Sequence, residues 1–363
     1  MNATRQLHDL GQSLWLDNIT RTLLSDGTLA RYIRDFSVTG LTSNPTIFEH
    51  AIGESRAYDE AIRARARAGK AGEALFFELA LQDLSRAADL FRPVFDATGG
   101  VDGWVSLEVS PLLAHDARGT IAAASDLHAR AARPNLFIKI PGTTEGLVAI
   151  EESIFNGVPI NVTLLFSCAQ YEAAAEAWLR GIERRVAAGL DPKVDSVASL
   201  FVSRWDVAAN KMLPEPLHNQ LGIAVATQAW RAYRKLLVSP RWRTVLGAGA
   251  HPQRLLWAST GTKDPKAPDT LYVEKLAAPG TVDTIPEKTL LAFADHGQVR
   301  QSLTIDGDAA EVAIGACARA GIDVDALAAR LQREGADAFS ASWRALLDGI
   351  GAKTRTLAKE RAQ

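Results

Sequence analysis

Short β-branched and aliphatic runs alternate with Ala-rich, helix-forming stretches from near residue 14 to near residue 290. That alternation restricts the chain to repeated βα units around a parallel sheet. Eight runs qualify as strands: Leu14 to Ile19, Val38 to Ser43, Trp104 to Val109, Leu136 to Ile140, Pro159 to Phe166, Ser196 to Val202, Arg254 to Thr260 and Val282 to Ile285. The eighth rests mainly on the count. Eight such units predict an α/β fold, a (β/α)8 TIM-type barrel with additional outer helices. The length of 363 residues permits more than one domain, but no Pro-, Gly- or Ser-rich boundary divides the chain, so one barrel domain over 1–363 is expected.

Helix punctuation fits this frame. Ser167 stands three residues before Gln170 as a capping box, and its helix should stop before Gly189 and Pro192. Pro134 should end a helix beginning near Thr120. Residues 46–96 are too many for one crossover and predict a helical insertion that includes the apolar-rich Glu73 to Phe91. After Gly297 the pattern predicts outer helices within 309–363, at Ala309 to Ala320 and Val324 to Arg344, packed on the outside of the barrel.

Polarity splits by parity along the strands, as it must when alternate side chains point into a closed barrel. Val105, Leu107 and Val109 oppose Ser106 and Glu108; Ile138 and Ile140 oppose Lys139; Ile160, Val162 and Leu164 oppose Asn161 and Thr163. Asp17 alternates with Leu16, and Asn44 falls on the face of Thr42. Inward polar residues near strand C-termini mark the end where such barrels place their active sites.

Lys139 is the sharpest signal, because burial in the run Leu-Phe-Ile-Lys-Ile disfavours the ammonium and favours a neutral amine able to attack a ketone. A structural lysine paired with an acid fits the same run. The company of Asp17, Glu108, Asn161 and Thr163 exceeds what one ion pair requires and tips the reading towards Schiff-base chemistry, whose steps need proton transfers that carboxylates supply. As single residues, Asp17 and Glu108 also read as ion-pair partners, and Asn44, Asn161 and Thr163 as satisfied core polar groups. Arg204, closing the sixth strand, and Lys263, following the seventh beside Ser259 and Thr260, form a candidate phosphate clamp, with surface solvation as the alternative. Phe201 either shapes the pocket or fills the core.

With 40 basic and 42 acidic residues mixed along the chain, no broad basic face is offered to nucleic acid or anionic lipid, so an anionic ligand must be held locally. The most basic stretch, Lys353, Arg355, Lys359 and Arg361, reads as a solvated helix end. Two cysteines, no charged-then-apolar signal pattern and no apolar run of ~18 residues predict a cytoplasmic chain without a membrane span. Asn-x-Thr matches at Asn2, Asn18 and Asn161 are chance, and Gly247-Ala-Gly-Ala-His-Pro lacks both the third glycine and the preceding strand of a dinucleotide fingerprint. The histidines show no metal-ligand spacing and Cys168 reads as a buried small residue, so neither a metal nor an organic cofactor is expected.

Taken in order, Leu-Trp-Leu-Asp17-Asn-Ile, Gly-Leu-Thr-Ser-Asn44-Pro, Val-Ser-Leu-Glu108-Val, Ile-Lys139-Ile-Pro-Gly-Thr, Asn161-Val-Thr163-Leu-Leu-Phe-Ser, Ser199-Leu-Phe201-Val-Ser-Arg204 and Trp-Ala-Ser-Thr-Gly-Thr-Lys263 resemble the transaldolase family, in its longer bacterial branch. The resemblance spans roughly the first 300 residues. It implies Lys139 as the Schiff-base lysine, Asp17 as the acid/base for carbon–carbon cleavage, and Glu108 with Thr163 as the pair handling a catalytic water. It further implies Asn44, Asn161 and Ser199 as contacts to substrate hydroxyls and Arg204 as a phosphate-binding arginine. Where shorter members carry a second arginine after the seventh strand and a proline in the sixth, this chain has Lys263 and Leu200. The implied activity is transfer of a dihydroxyacetone unit from sedoheptulose 7-phosphate to glyceraldehyde 3-phosphate in the pentose phosphate pathway. The alternatives are a fructose 6-phosphate aldolase and a barrel that binds sugar phosphates without catalysis.

Overall fold

The computed structural model describes residues 2–300, 303 and 308–359. Eight strands close into a barrel in chain order, all in parallel, with the last pairing back to the first. They are β1 Ser13–Asp17, β2 Val38–Thr42, β3 Trp104–Glu108, β4 Leu136–Pro141, β5 Ile160–Leu165, β6 Ser196–Phe201, β7 Arg254–Ala258 and β8 Val282–Ile285. Every expected strand is present, including the eighth at its expected bounds.

The sheet wall separates two apolar cores, as parity requires. Leu14, Leu16, Val105, Leu107, Ile138, Ile140, Ile160 and Val162 face outward into the cluster beneath the helices. Trp15, Trp104, Phe137, Val197, Leu256 and Val282 point inward and fill the barrel floor. There the rings of Trp104 and Phe137 stack with centroids 4.0 Å apart, and Trp15 Nε1 donates to Asp102 Oδ1 at 2.8 Å. So much aromatic volume leaves no room on β2. A Cβ at Gly40 would lie 2.6 Å from the Trp104 carbonyl oxygen and 2.7 Å from Trp15 Nε1, which is why glycine occupies that inward position.

One parity expectation fails. Leu164 joins the inner cluster with Phe166 and Phe201 rather than the outer one. Its backbone is left-handed, with φ of 59°, and the β5–β6 register shifts between Val162 and Leu165. The bulge turns Leu164 towards the barrel mouth at a conformational cost of about 1–2 kcal/mol, which the mouth-side packing offsets.

Helices fill the crossovers. Asn44 caps the helix Pro45–Glu54 by accepting from Ile47 N, with Pro45 at its first position. The insertion is built from that helix, Asp59–Arg67 and Gly72–Ala97. Ser167 accepts from Gln170 N at the start of Cys168–Ala187, while the Gln170 side chain accepts from Phe166 N, one residue earlier than a capping box would place it. Cys168 is half-buried, and burial pushes its thiol up to about 11. Among the described residues no helix is long and apolar enough to cross a membrane.

The chain after Gly297 divides in its behaviour. Ala309–Arg319 packs against the helix Leu221–Leu236, with Cys317 reaching the cluster at the barrel mouth. The last helix runs past Arg344 to Lys359, 36 residues in all, about 54 Å at 1.5 Å per residue, and it does not stay outside. Its first half sets Leu327, Leu331 and Phe339 in the inner cluster at the barrel mouth; its second half sets Trp343, Leu346 and Ile350 in the outer cluster, with Trp343 edge-on to Phe76. Amphipathic spacing shows which face of a helix is buried and is silent on its partner. Lys353 is likewise not solvated: it pairs with Asp59 at 2.9 Å and donates to the Ile52 and Ser55 carbonyls. Arg355 and Lys359 are exposed, and Arg361 lies outside the described residues.

Candidate active site

Strand register assembles the site. Glu108 pairs with Lys139 across β3–β4 and Lys139 with Asn161 across β4–β5, while Asp17 pairs with Thr42 across β1–β2. Above these rungs the C-terminal strand ends open into a cavity of about 770 Å³. Asp17, Asn44, Lys139, Thr163, Ser199, Phe201, Arg204, Ser259 and Lys263 all line it.

Lys139 is 5% exposed and its Nζ lies 3.3 Å from Glu108 Oε2 and 3.3 Å from the Ser43 carbonyl oxygen. Burial pushes the Glu108 carboxyl up, aided by the neighbouring Asp17 charge and opposed by Lys139. A carboxylate so placed is a ready acceptor for the lysine proton. Asp17 closes β1 half-buried at the cavity wall. Burial raises its carboxyl too, against the opposing pull of the Lys139 charge and of Thr42 Oγ1, which donates to Asp17 Oδ1 at 2.9 Å. Thr42 in turn meets Thr284 Oγ1 of β8 at 2.6 Å, so one hydroxyl chain spans three strands and fixes the Asp17 rotamer.

The neutral residues separate by what they already hold. Thr163 is fully buried, lines the cavity and finds no hydrogen-bond partner for its hydroxyl among the described residues, an arrangement that suits an incoming hydroxyl or water. Asn161 differs: its amide donates to Ser106 Oγ at 3.0 Å and its oxygen accepts from Ser199 Oγ at 2.7 Å. It sits beneath the cavity, as does Glu108, and orients Ser199 rather than lining the wall. The Asn44 oxygen is used by its helix cap, which leaves the amide nitrogen for a ligand.

Arg204 and Lys263 are unlike each other. Arg204 lies on the first turn of the helix Ser203–Ala209, and burial lowers its guanidinium from the usual arginine range. Among the described residues it has no ion pair. Its charge rests on aromatic rings, 5.1 Å from the Phe201 centroid and 5.8 Å from that of Phe339. Lys263 is exposed at the rim. Ser259, left-handed with φ of 57°, meets Ser203 Oγ at 2.9 Å on the wall of the same cavity.

Sequence reasoning missed Thr284 and Phe339. Parity on β8 would have found Thr284. Nothing in the local pattern could have found Phe339, which reaches the mouth from the last helix.

A closed parallel barrel with an inward, carboxylate-paired lysine beneath a cavity at its C-terminal rim defines a (β/α)8 protein with a lysine-centred site. The model of the Transaldolase/Fructose-6-phosphate aldolase family matches residues 14–350. The chain is 47% identical over 367 residues to a transaldolase of Acidothermus cellulolyticus, covering 99% of this chain and 98% of that one. It is 45% identical over 359 residues to a transaldolase of Frankia alni, with 96% of each covered, and 43% identical to one of Thiobacillus denitrificans, with 97% of this chain and all of that one covered. This chain belongs to the Transaldolase/Fructose-6-phosphate aldolase family.

Proposed function

We propose that the chain is a transaldolase, moving a dihydroxyacetone unit from sedoheptulose 7-phosphate to glyceraldehyde 3-phosphate and releasing erythrose 4-phosphate and fructose 6-phosphate. The observation that carries the reading is the buried Lys139–Glu108 pair, 3.3 Å apart, opening into the cavity that Asp17 and Arg204 also line.

Lys139 passes its proton to Glu108 and attacks the C2 ketone of the donor. The carbinolamine loses its hydroxyl as water, with Glu108 returning a proton through a water held at the free Thr163 hydroxyl, and the iminium forms. Asp17 then takes the C4 hydroxyl proton as the C3–C4 bond breaks, and its electron pair delocalises into the iminium, so the aldehyde leaves and an enamine remains on Lys139. An incoming aldehyde accepts that carbon with the steps reversed. The lysine is the electron sink, and no further cofactor takes part in this scheme. Ser199 and the Asn44 amide meet sugar hydroxyls, and Arg204, a half-buried cation with no ion pair among the described residues and only a through-space attraction to Glu108, takes the phosphate. We place this activity in the pentose phosphate pathway and in the cytoplasm, a reducing setting in keeping with free Cys168 and Cys317.

Borohydride added with fructose 6-phosphate should leave a three-carbon adduct on Lys139, and Lys139→Ala should neither label nor turn over. Label on another lysine would end the proposal. Erythrose 4-phosphate should greatly accelerate consumption of fructose 6-phosphate; release of free dihydroxyacetone at the same rate without it would identify an aldolase instead.

A further inference from the structure

We propose that Phe339 and Gly335 of the last helix are positioning residues for Arg204, so that this helix, and not the barrel loops alone, sets the affinity for the phosphate end of the substrate. The proposal rests on the reading that Arg204 takes that phosphate. Gln332, Gly335 and Phe339 recur at spacings of three and four and therefore share one face of the helix Val324–Lys359. Each meets the site differently. The Gln332 amide donates at 3.0 Å to both the Gly142 and Leu164 carbonyls, which follow the catalytic residues of β4 and β5 and pin the helix over them. Gly335 lets the helix close on the arginine: a Cβ there would stand 3.3 Å from Arg204 Nη1 and 2.9 Å from Leu164 Cδ2. Phe339 then lays its ring 5.8 Å from the guanidinium, which also lies 5.1 Å from the Phe201 ring.

The chemistry explains why rings serve here. The half-buried Arg204 guanidinium has lost part of its water and needs compensation. A carboxylate would supply it but would also neutralise the charge and compete with an incoming phosphate. Aromatic faces hold the cation through their quadrupole without contributing a full negative charge. The guanidinium is thus fixed in place with its charge available. The same ring lies 5.7 Å from Lys139 Nζ, so Phe339 runs alongside the span between the reacting carbon and the phosphate.

The test measures the full chain with inorganic phosphate by calorimetry and with fructose 6-phosphate by turnover. Phe339→Leu keeps an apolar side chain and removes the ring, and it should weaken both phosphate affinity and KM by about tenfold, the worth of a desolvated cation–π contact, while kcat moves less. Phe339→Tyr should restore both. Gly335→Ala should weaken phosphate binding through displacement of Arg204. For unphosphorylated fructose, kcat/KM should fall clearly less in Phe339→Leu than it does for fructose 6-phosphate. Parental phosphate affinity in Phe339→Leu, or equal losses on phosphorylated and unphosphorylated donors, would overturn the proposal. Arg204→Ala separates the two readings: if it abolishes phosphate binding in a protein that transfers no dihydroxyacetone unit, the proposed activity fails and the aromatic clamp stands; if it leaves phosphate binding intact, the clamp fails whatever the turnover.

Discussion

Lys139 Nζ donates to the Ser43 backbone carbonyl and faces the Glu108 carboxylate, 3.3 Å from each, so the base that can take its proton is Glu108. Glu108 is the nearer store and Asp17 the second carboxyl at the wall, both raised by burial. The division of labour between them is testable. Asp17→Asn keeps size and some hydrogen bonding but cannot take the C4 proton, so carbon–carbon cleavage should slow by roughly 100-fold or more while the iminium still forms. Borohydride should then trap a six-carbon adduct from fructose 6-phosphate where the parent traps three carbons. Normal turnover in this variant would make Asp17 a structural partner only. Because Asp17 must be ionised to act and burial raises its carboxyl, the parent should lose kcat on acidification at a pH above the ordinary aspartate range, an acid limb that a pH–rate profile reads directly.

At the scale of elements, two features shape the site from opposite ends. The floor is an aromatic plug that forces glycine on β2, and the roof is a helix laid across the mouth. Gly40→Ala presses a methyl into Trp15 and the Trp104 carbonyl, and should cost about 1–3 kcal/mol of stability, as overpacking of a filled core does. Denaturant unfolding measures this. An unchanged midpoint would mean that the plug is looser than its contacts indicate. The roof depends on the bulge at Leu164, whose left-handed turn aims a leucine at the helix and exposes the carbonyl that Gln332 binds.

The whole molecule carries an acid that the proposed chemistry does not use. Asp283 of β8 is fully buried, accepts from Thr260 Oγ1 at 2.8 Å and has no partner for Oδ2 among the described residues; burial pushes its carboxyl up from 3.8 to about 7. The folded state therefore binds this proton more tightly than the unfolded chain. Below the unfolded value both states hold it and stability is unaffected; as pH rises from about 4 towards 7 the unfolded chain gives it up first, and stability falls. Asp283→Asn imitates the protonated form. It should melt higher than the parent at pH 8 and match it near pH 4, and a deficit of the parent relative to asparagine that is no larger at pH 8 than near pH 4 would show that Asp283 is already relieved by another route.

Strand count, barrel closure and inward placement of Asp17, Glu108, Lys139, Asn161 and Thr163 were legible in the sequence, because a period of two on a closed sheet ties polarity to facing without any knowledge of neighbours. The proposed phosphate end was only half legible: Arg204 and Lys263 look alike in the chain, and burial alone distinguishes the partly desolvated guanidinium from the solvated rim lysine. Two things belonged to the tertiary structure. Leu164 changes face through a bulge that no alternation pattern announces, and Phe339 enters the site from a helix 200 residues after Lys139, brought there by packing across the mouth. Local periodicity determines which side of an element is apolar; what that side meets is decided by contacts distant in sequence, and here those contacts set the roof over the lysine.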